Sequence, residues 1–375
     1  MATTNPANLP GAPVDPASAQ GAQIPLQSFN VPDFPPSARG LKALTLTSDI
    51  QVDNYQSILG PSYSIPSSLP VAIESLTLEL FSLGYPSGFL TDLAKRLPNL
   101  KSVVLYSQLF AGTTEESQKD AVQFFKHLPF LRALHLLDVF AQPGYFAKAA
   151  EWLKYNTSDM PGEARRGLMF LEVNYTFRGH EDEEFMGKIQ AHELPKLIGP
   201  GLISCSFNVA APEEEGSAEG IMAYNAEVSD GLVKALTEDE AYPRGLRALN
   251  CTLYTLTMAQ LRKVLEVQKN IMVLNVTLET APGADTKKAL IKVLEGCKNL
   301  EQVELVASPT MEFIMALQEP GSGVLEKSLL SAADLAVLTA KCANLKSFKA
   351  SVLRAASFGT LEWEKKGGKW VGGAK

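Results

Sequence analysis

The chain has little of what marks an enzyme, a metal protein or a membrane protein. No apolar run approaches the roughly 18–20 residues needed to cross a bilayer. The opening MATTNPANLPGAPVDPASAQGAQ has neither a basic start nor an apolar core. A secretory signal is therefore not expected, and the chain is expected to be intracellular, cytoplasmic or nuclear. Its four cysteines, Cys205, Cys251, Cys297 and Cys342, are 46, 46 and 45 residues apart. That spacing holds no CxxC pair for a metal or a redox couple. Cys205 and Cys251 fall on apolar strand positions and read as core. The N-x-[ST] sequons at Asn156, Asn174, Asn250 and Asn275 are read as chance without a signal.

Catalytic motifs are missing as well. There is no GxSxG, no HExxH and no GxxxxGK[ST] phosphate loop. Of the four histidines, His127 sits near a helix end and His135 is isolated, while His180 and His192 lie among acidic residues without ligand spacing. No catalytic residue, metal, cofactor or small-molecule substrate is expected. The net charge of −7 argues against non-specific binding to nucleic acid.

What the chain does have is repetition. Residues 1–37, rich in Pro, Ala, Ser and Gln, show no apolar period and are expected to form a disordered tail. From Leu41 onward one pattern recurs: apolar, two others, apolar, one other, apolar. It reads LKALTL at Leu41, IESLTL at Ile73, LKSVVL at Leu100, LRALHL at Leu131 and LMFLEV at Leu168. LISCSF at Leu202, LRALNC at Leu246, IMVLNV at Ile271, LEQVEL at Leu300 and LKSFKA at Leu345 complete the series. Such self-similarity marks a solenoid in which each unit buries its apolar face against its neighbours.

The last two apolar positions of each copy alternate with a small or polar residue, which is the period of a strand. Parallel strands need crossovers, and the intervening segments look helical. Thr113-x-x-Glu116 and Thr257-x-x-Gln260 read as capping boxes, and Asp285 as a cap.

The approach to the strands carries a family resemblance. LAKRLPNLKSVVL, FKHLPFLRALHL, LEGCKNLEQVEL and TAKCANLKSFKA each end a helix and step into a strand. With Cys297 and Cys342 just before their strands, the chain resembles leucine-rich repeats of the ribonuclease-inhibitor or cysteine-containing type, as found in irregular fungal F-box adaptor proteins. The resemblance implies an α/β leucine-rich-repeat solenoid over residues 38–360, of about ten irregular repeats. A curved parallel sheet would lie on the concave side and helices on the convex side. Two departures stand out. The Asn that the family carries after the strand is replaced by Asp49, Phe81, Gln108 and Val139, and no F-box signature precedes the repeats.

Outward strand positions should line the concave face, where repeat proteins hold their partners. Tyr106, His135, Leu137, Phe170, Glu172 and Asn174 form its most mixed stretch, with the aromatic, apolar and charged composition of interface hot spots. Loops or the N-terminal tail covering this face is the alternative. Phe81, Phe110, Phe140 and Phe177 fall at similar offsets and are expected to stack as a packing spine. Between Arg178 and Glu240 there are 14 acidic residues against 4 Lys or Arg, while residues 341–375 carry 8 Lys or Arg against 2 Glu. The run Glu213, Glu214, Glu215 could form an acidic rim that steers a basic partner, or simply be solvated loop charge. The ending LEWEKKGGKWV suggests a capping hairpin over 361–375 with Trp363 and Trp370 paired across it.

The resulting expectation is a non-enzymatic scaffold binding a protein partner through the concave sheet and post-strand loops, without nucleic acid or membrane. The alternatives are an acidic-rim escort for a basic protein client and an F-box-like ubiquitin-ligase adaptor.

Overall fold

The computed structural model describes residues 21–48, 62–81, 84–154, 167–176, 182–210, 223–240, 242–319, 321–353 and 359–374. They form two compact units, Met1–Tyr175 with Gly187–Leu202, and Thr176–Met186 with Ile203–Lys375.

In the first unit the repeat motif folds as predicted. Strands β1 (Gly21–Leu26), β2 (Ala43–Ser48), β3 (Ser75–Phe81), β4 (Ser102–Ser107), β5 (Ala133–Leu137) and β6 (Phe170–Thr176) lie in sequence order, all parallel. Helices α1 (Phe89–Arg96), α2 (Glu115–Lys126) and α3 (Tyr145–Leu153) supply crossovers. Register brings Leu44, Leu76, Val103, Leu134 and Leu171 into one row and Leu46, Leu78, Leu105, Leu136 and Val173 into the next. All ten are buried, each contributing about 1.5–3 kcal/mol. A second cluster sits under α1, where Phe89 meets Phe29, Tyr63 and Tyr85 at 5.4, 5.6 and 6.0 Å between ring centres.

The second unit repeats the plan with additions. Strands β7 (Ser204–Ala210), β8 (Ala248–Leu256), β9 (Val273–Thr280), β10 (Gln302–Pro309) and β11 (Ser347–Val352) are parallel neighbours in order. Between them run α5 (Ala226–Thr237), α6 (Met258–Val267) and α7 (Ala284–Leu294). The last crossover holds α8 (Met311–Gln318), α9 (Val324–Ser328) and α10 (Ala332–Thr339). A further helix, α4 (Asp182–Lys188), follows β6 in the chain. Cys205, Leu249, Leu274, Val303 and Phe348 share one buried row. Two antiparallel strands, β12 (Thr360–Lys366) and β13 (Lys369–Ala374), close the array through a Gly367-Gly368 turn. The alternation of parallel strand and helix is that of an α/β leucine-rich-repeat solenoid.

Several expectations need correction. Residues 21–34 are not a disordered tail: β1 pairs with β2, and Leu26, Phe29, Val31 and Phe34 are buried. Four apolar side chains within nine residues are enough to hold a segment that lacks a clear period. Residues 1–20 lie outside the described residues. The cap of α2 is Thr114 with Ser117, not Thr113 with Glu116, and the cap position of α7 is Gly283, with Asp285 inside the first turn. The tryptophans of the hairpin do not face each other, because register sets Trp363 against Gly372 and Trp370 against Lys365. Their indole N–H groups instead reach the Leu330 carbonyl and the Thr339 hydroxyl. Of the four phenylalanines expected to stack, the rings of Phe110 and Phe140 are the ones described. Phe110 joins Tyr85, Phe124 and Phe125, whereas Phe140 lies 5.3 Å from Tyr175. Phe177 is outside the described residues.

Helix starts show a device no local motif announces. Gly88 and Gly144 precede α1 and α3 with φ of 88° and 89°, a conformation that glycine adopts without strain. Glycine has no side chain to cap the helix, so the next repeat provides one. The buried Asp120 of α2 accepts from the backbone N–H groups of Gly88, Leu90 and Thr91 at 3.1, 3.2 and 3.0 Å. Glu193 does the same for Gly144, and Ser328 for Gly283 at 2.8 Å. A carboxylate there also meets the positive end of the helix dipole.

Candidate functional site

Strands β4, β5 and β6 of the first unit place the expected residues on the sheet face that alternates with the buried rows. Register aligns Val104, His135 and Glu172 in one row and Tyr106, Leu137 and Asn174 in the next. Neighbouring strands are about 4.8 Å apart and alternate residues about 6.6 Å, so the six side chains form a compact block. All six are half-buried.

The polar members are organised around Glu172. His135 Nδ1 lies 2.7 Å from Glu172 Oε2, and Asn174 donates its amide hydrogen to Oε1. An ionised carboxylate only accepts, so His135 carries its hydrogen on Nδ1. The imidazole and carboxyl side chains are each 24% exposed, open enough to meet a partner. Beside them Tyr106 and Leu137 supply apolar area.

Phe170 does not join this surface. It shares the parity of Glu172, yet it is 4% exposed. The same first strand position is buried at Ala43, Ser102 and Ala133 and half-buried at Ser75. Glu213, Glu214 and Glu215 lie outside the described residues, as does His180. Among the described residues no group of three His, Cys, Asp or Glu side chains could hold a metal ion. No helix among them is long and apolar enough to cross a membrane.

In the second unit the equivalent row runs Ser206, Asn250, Asn275, Glu304 and Lys349. Lys349 bridges to Glu304 at 2.9 Å. Cys205 and Cys251 are buried thiols beside one another, and their mutual hydrogen bond together with burial pushes the Cys205 thiol well above its usual value. Such thiols are inert packing groups.

One further feature went unread in the sequence, although it sits in every motif copy. The second motif position forms a backbone-linked row along the lead-in edge of each unit. In the first unit it reads Lys42, Glu74, Lys101, Arg132 and Met169, each N–H bonding the preceding carbonyl. Lys42 and Lys101 both bridge to Glu74, at 2.8 and 2.7 Å, and their hydrogen bonds hold its carboxyl below the usual range. In the second unit the row reads Ile203, Arg247, Met272, Glu301 and Lys346, and Lys365 of the closing hairpin bonds on to Lys346 in the same way. Asparagines just ahead of it tie repeats together: Asn99 donates to the Val71 carbonyl, Asn299 to Lys269 and Asn344 to Lys298. The recurring N-[LI] of the motif was the available signal.

No known family profile matches the chain, and no curated protein sequence does. Among solved structures it is similar to an internalin from Listeria monocytogenes, at 12% identity and a TM-score of 0.39, covering 84% of this chain and 63% of that one. A structure of the Rad7 and Elc1 complex in yeast matches at 17% identity and a TM-score of 0.39, over 82% of this chain and 63% of that one. The leucine-rich repeat-containing protein LegL7 from Legionella pneumophila matches at 14% and 0.38, over 94% of this chain and 92% of that one. The chain thus spans about 63% of the length of the internalin and the Rad7–Elc1 chain it matches.

Proposed function

We propose that the chain is a non-enzymatic scaffold that binds a protein partner on the open sheet face of its first unit. The observation that supports this is the block of Val104, Tyr106, His135, Leu137, Glu172 and Asn174. It combines apolar area with a carboxylate whose two oxygens are already held in place by neighbours. A pre-ordered polar group beside an aromatic and an aliphatic side chain binds without a large cost in side-chain entropy. Three adjacent strands present these groups as an even surface, which suits a protein face better than a small molecule. We read the repeats as the ribonuclease-inhibitor or cysteine-containing type, supported by Cys297 and Cys342 buried ahead of β10 and β11.

The test uses the full chain as bait in its native cell extract, with partners identified by mass. Tyr106→Ala combined with Leu137→Ala should weaken capture of the principal partner by about tenfold or more, as loss of central hot-spot side chains does. Thermal melting of the variant should show that it is folded. Undiminished capture by a folded double variant would place the binding surface elsewhere.

A further inference from the structure

The second unit carries a charged edge that the open-face reading leaves unused. Its lead-in row continues past Lys346 to Lys365 of the closing hairpin, and Lys269 and Lys298 stand just ahead of it. Lys346 is paired with Glu301, but Arg247, Lys269, Lys298, Lys365 and Lys369 make no ion pair among the described residues. In the first unit two of the three cations of the row, Lys42 and Lys101, are instead engaged by Glu74. Unpaired cations along one edge are available to an incoming anion.

Between them lies a cleft of about 350 Å³ lined by Arg247, Asn270, Met272, Asn299, Glu301 and Asn344. Asn299 and Asn344 each use one amide N–H on a neighbouring backbone carbonyl, which leaves the second N–H and the side-chain oxygen of each. Asn270 is exposed and its carboxamide has no partner among the described residues. A carboxamide offers a donor and an acceptor together, the complement of a peptide group.

We propose that this edge, centred on Arg247 and Asn270, is a docking strip for an extended acidic segment of a partner protein. Charge complementarity selects an anion, and the amides select a polypeptide rather than a nucleic acid. A phosphate backbone offers acceptors only, and so leaves the carboxamide acceptors of the cleft unmatched. None of the lining residues has an aromatic ring on which a base could stack. Met272 gives one apolar contact for a side chain of the docked segment. The strip is a second surface, independent of the face around Glu172.

Fluorescence anisotropy of the full chain with a labelled ten-residue peptide of alternating Glu and Ser tests this, with a labelled ten-nucleotide thymidine strand in parallel. Peptide binding should appear at low salt and fade as salt rises. Arg247→Glu with Lys269→Glu should weaken it by about tenfold or more, as reversal of steering charges does. Asn270→Leu should weaken it less and leave the salt dependence unchanged. Lys148→Glu, on the exposed face of α3, and Tyr106→Ala with Leu137→Ala should leave it intact. Circular dichroism verifies folding, and Arg247→Gln serves if the charge reversals do not fold. Absence of peptide binding, equal loss with Lys148→Glu, or tighter binding of the thymidine strand would each overturn the proposal.

Discussion

Both units build their sheets from the same six-residue motif, yet they secure neighbouring repeats with a different mix of groups. The first relies on rings and charge: Phe89 is enclosed by Phe29, Tyr63 and Tyr85, and Glu74 is gripped by two lysines. The second also pairs rings, Tyr254 with Phe207 and Tyr224, and bridges repeats through Lys263–Glu238, Lys341–Glu295 and Lys349–Glu304, but it adds four buried thiols, Cys205, Cys251, Cys297 and Cys342. It bulges at β8, where register slips between Cys251 and Thr255, and it leaves much of its edge charge unpaired. The difference shows that a repeat specifies its strand through two buried rows, while everything outside those rows is free to serve stability in one place and recognition in another.

Five substitutions would break or sharpen that contrast. Phe89→Ala should have the largest effect, about 3–5 kcal/mol, because it empties a ring-sized volume bounded by other rings. Leu274→Ala in the second unit should cost about 2–5 kcal/mol. Denaturant unfolding followed by Trp152 in α3 and by Trp363 in β12 would show which unit each weakens. If the two probes respond identically to both variants, the units do not differ in local stability as their packing implies.

Next comes the borrowed cap. Asp120→Ala strips three backbone N–H groups of their acceptor and should cost about 1–3 kcal/mol. Ser328→Ala, which removes one such bond at Gly283, should cost about 1 kcal/mol. Equal effects in thermal melts would mean that the first helix start does not depend on Asp120.

The smallest effect belongs to the ion pairs. Glu74→Gln should change stability by less than about 1 kcal/mol, since the pair is partly exposed and screened. Its carboxyl is held below the usual range, so the contribution is present above the unfolded carboxylate pKa and disappears as pH falls through the lower folded value. A stability difference between wild type and variant that persists unchanged into strong acid would contradict the bridge.

The site was legible only in part. Tyr106, His135, Leu137, Glu172 and Asn174 were found from strand alternation, because a period of two assigns faces without knowledge of neighbours. Phe170 was misjudged because parity says which way a side chain leaves the strand, not whether something covers it. The lead-in row was overlooked because its residues precede the strand and have no period of their own within one copy. Only the comparison of all ten second positions reveals them.

Local pattern alone was enough to place the repeated strands, their faces and the helical crossovers, since apolar burial acts through spacing along the chain. Tertiary structure decided the rest: that Asp120 caps a helix one repeat earlier, that Lys101 and Lys42 share Glu74, and that Arg247 shares with no one. Those pairings join residues 27–32 positions apart in the sequence, and their energies depend on distance and exposure that only the folded chain sets.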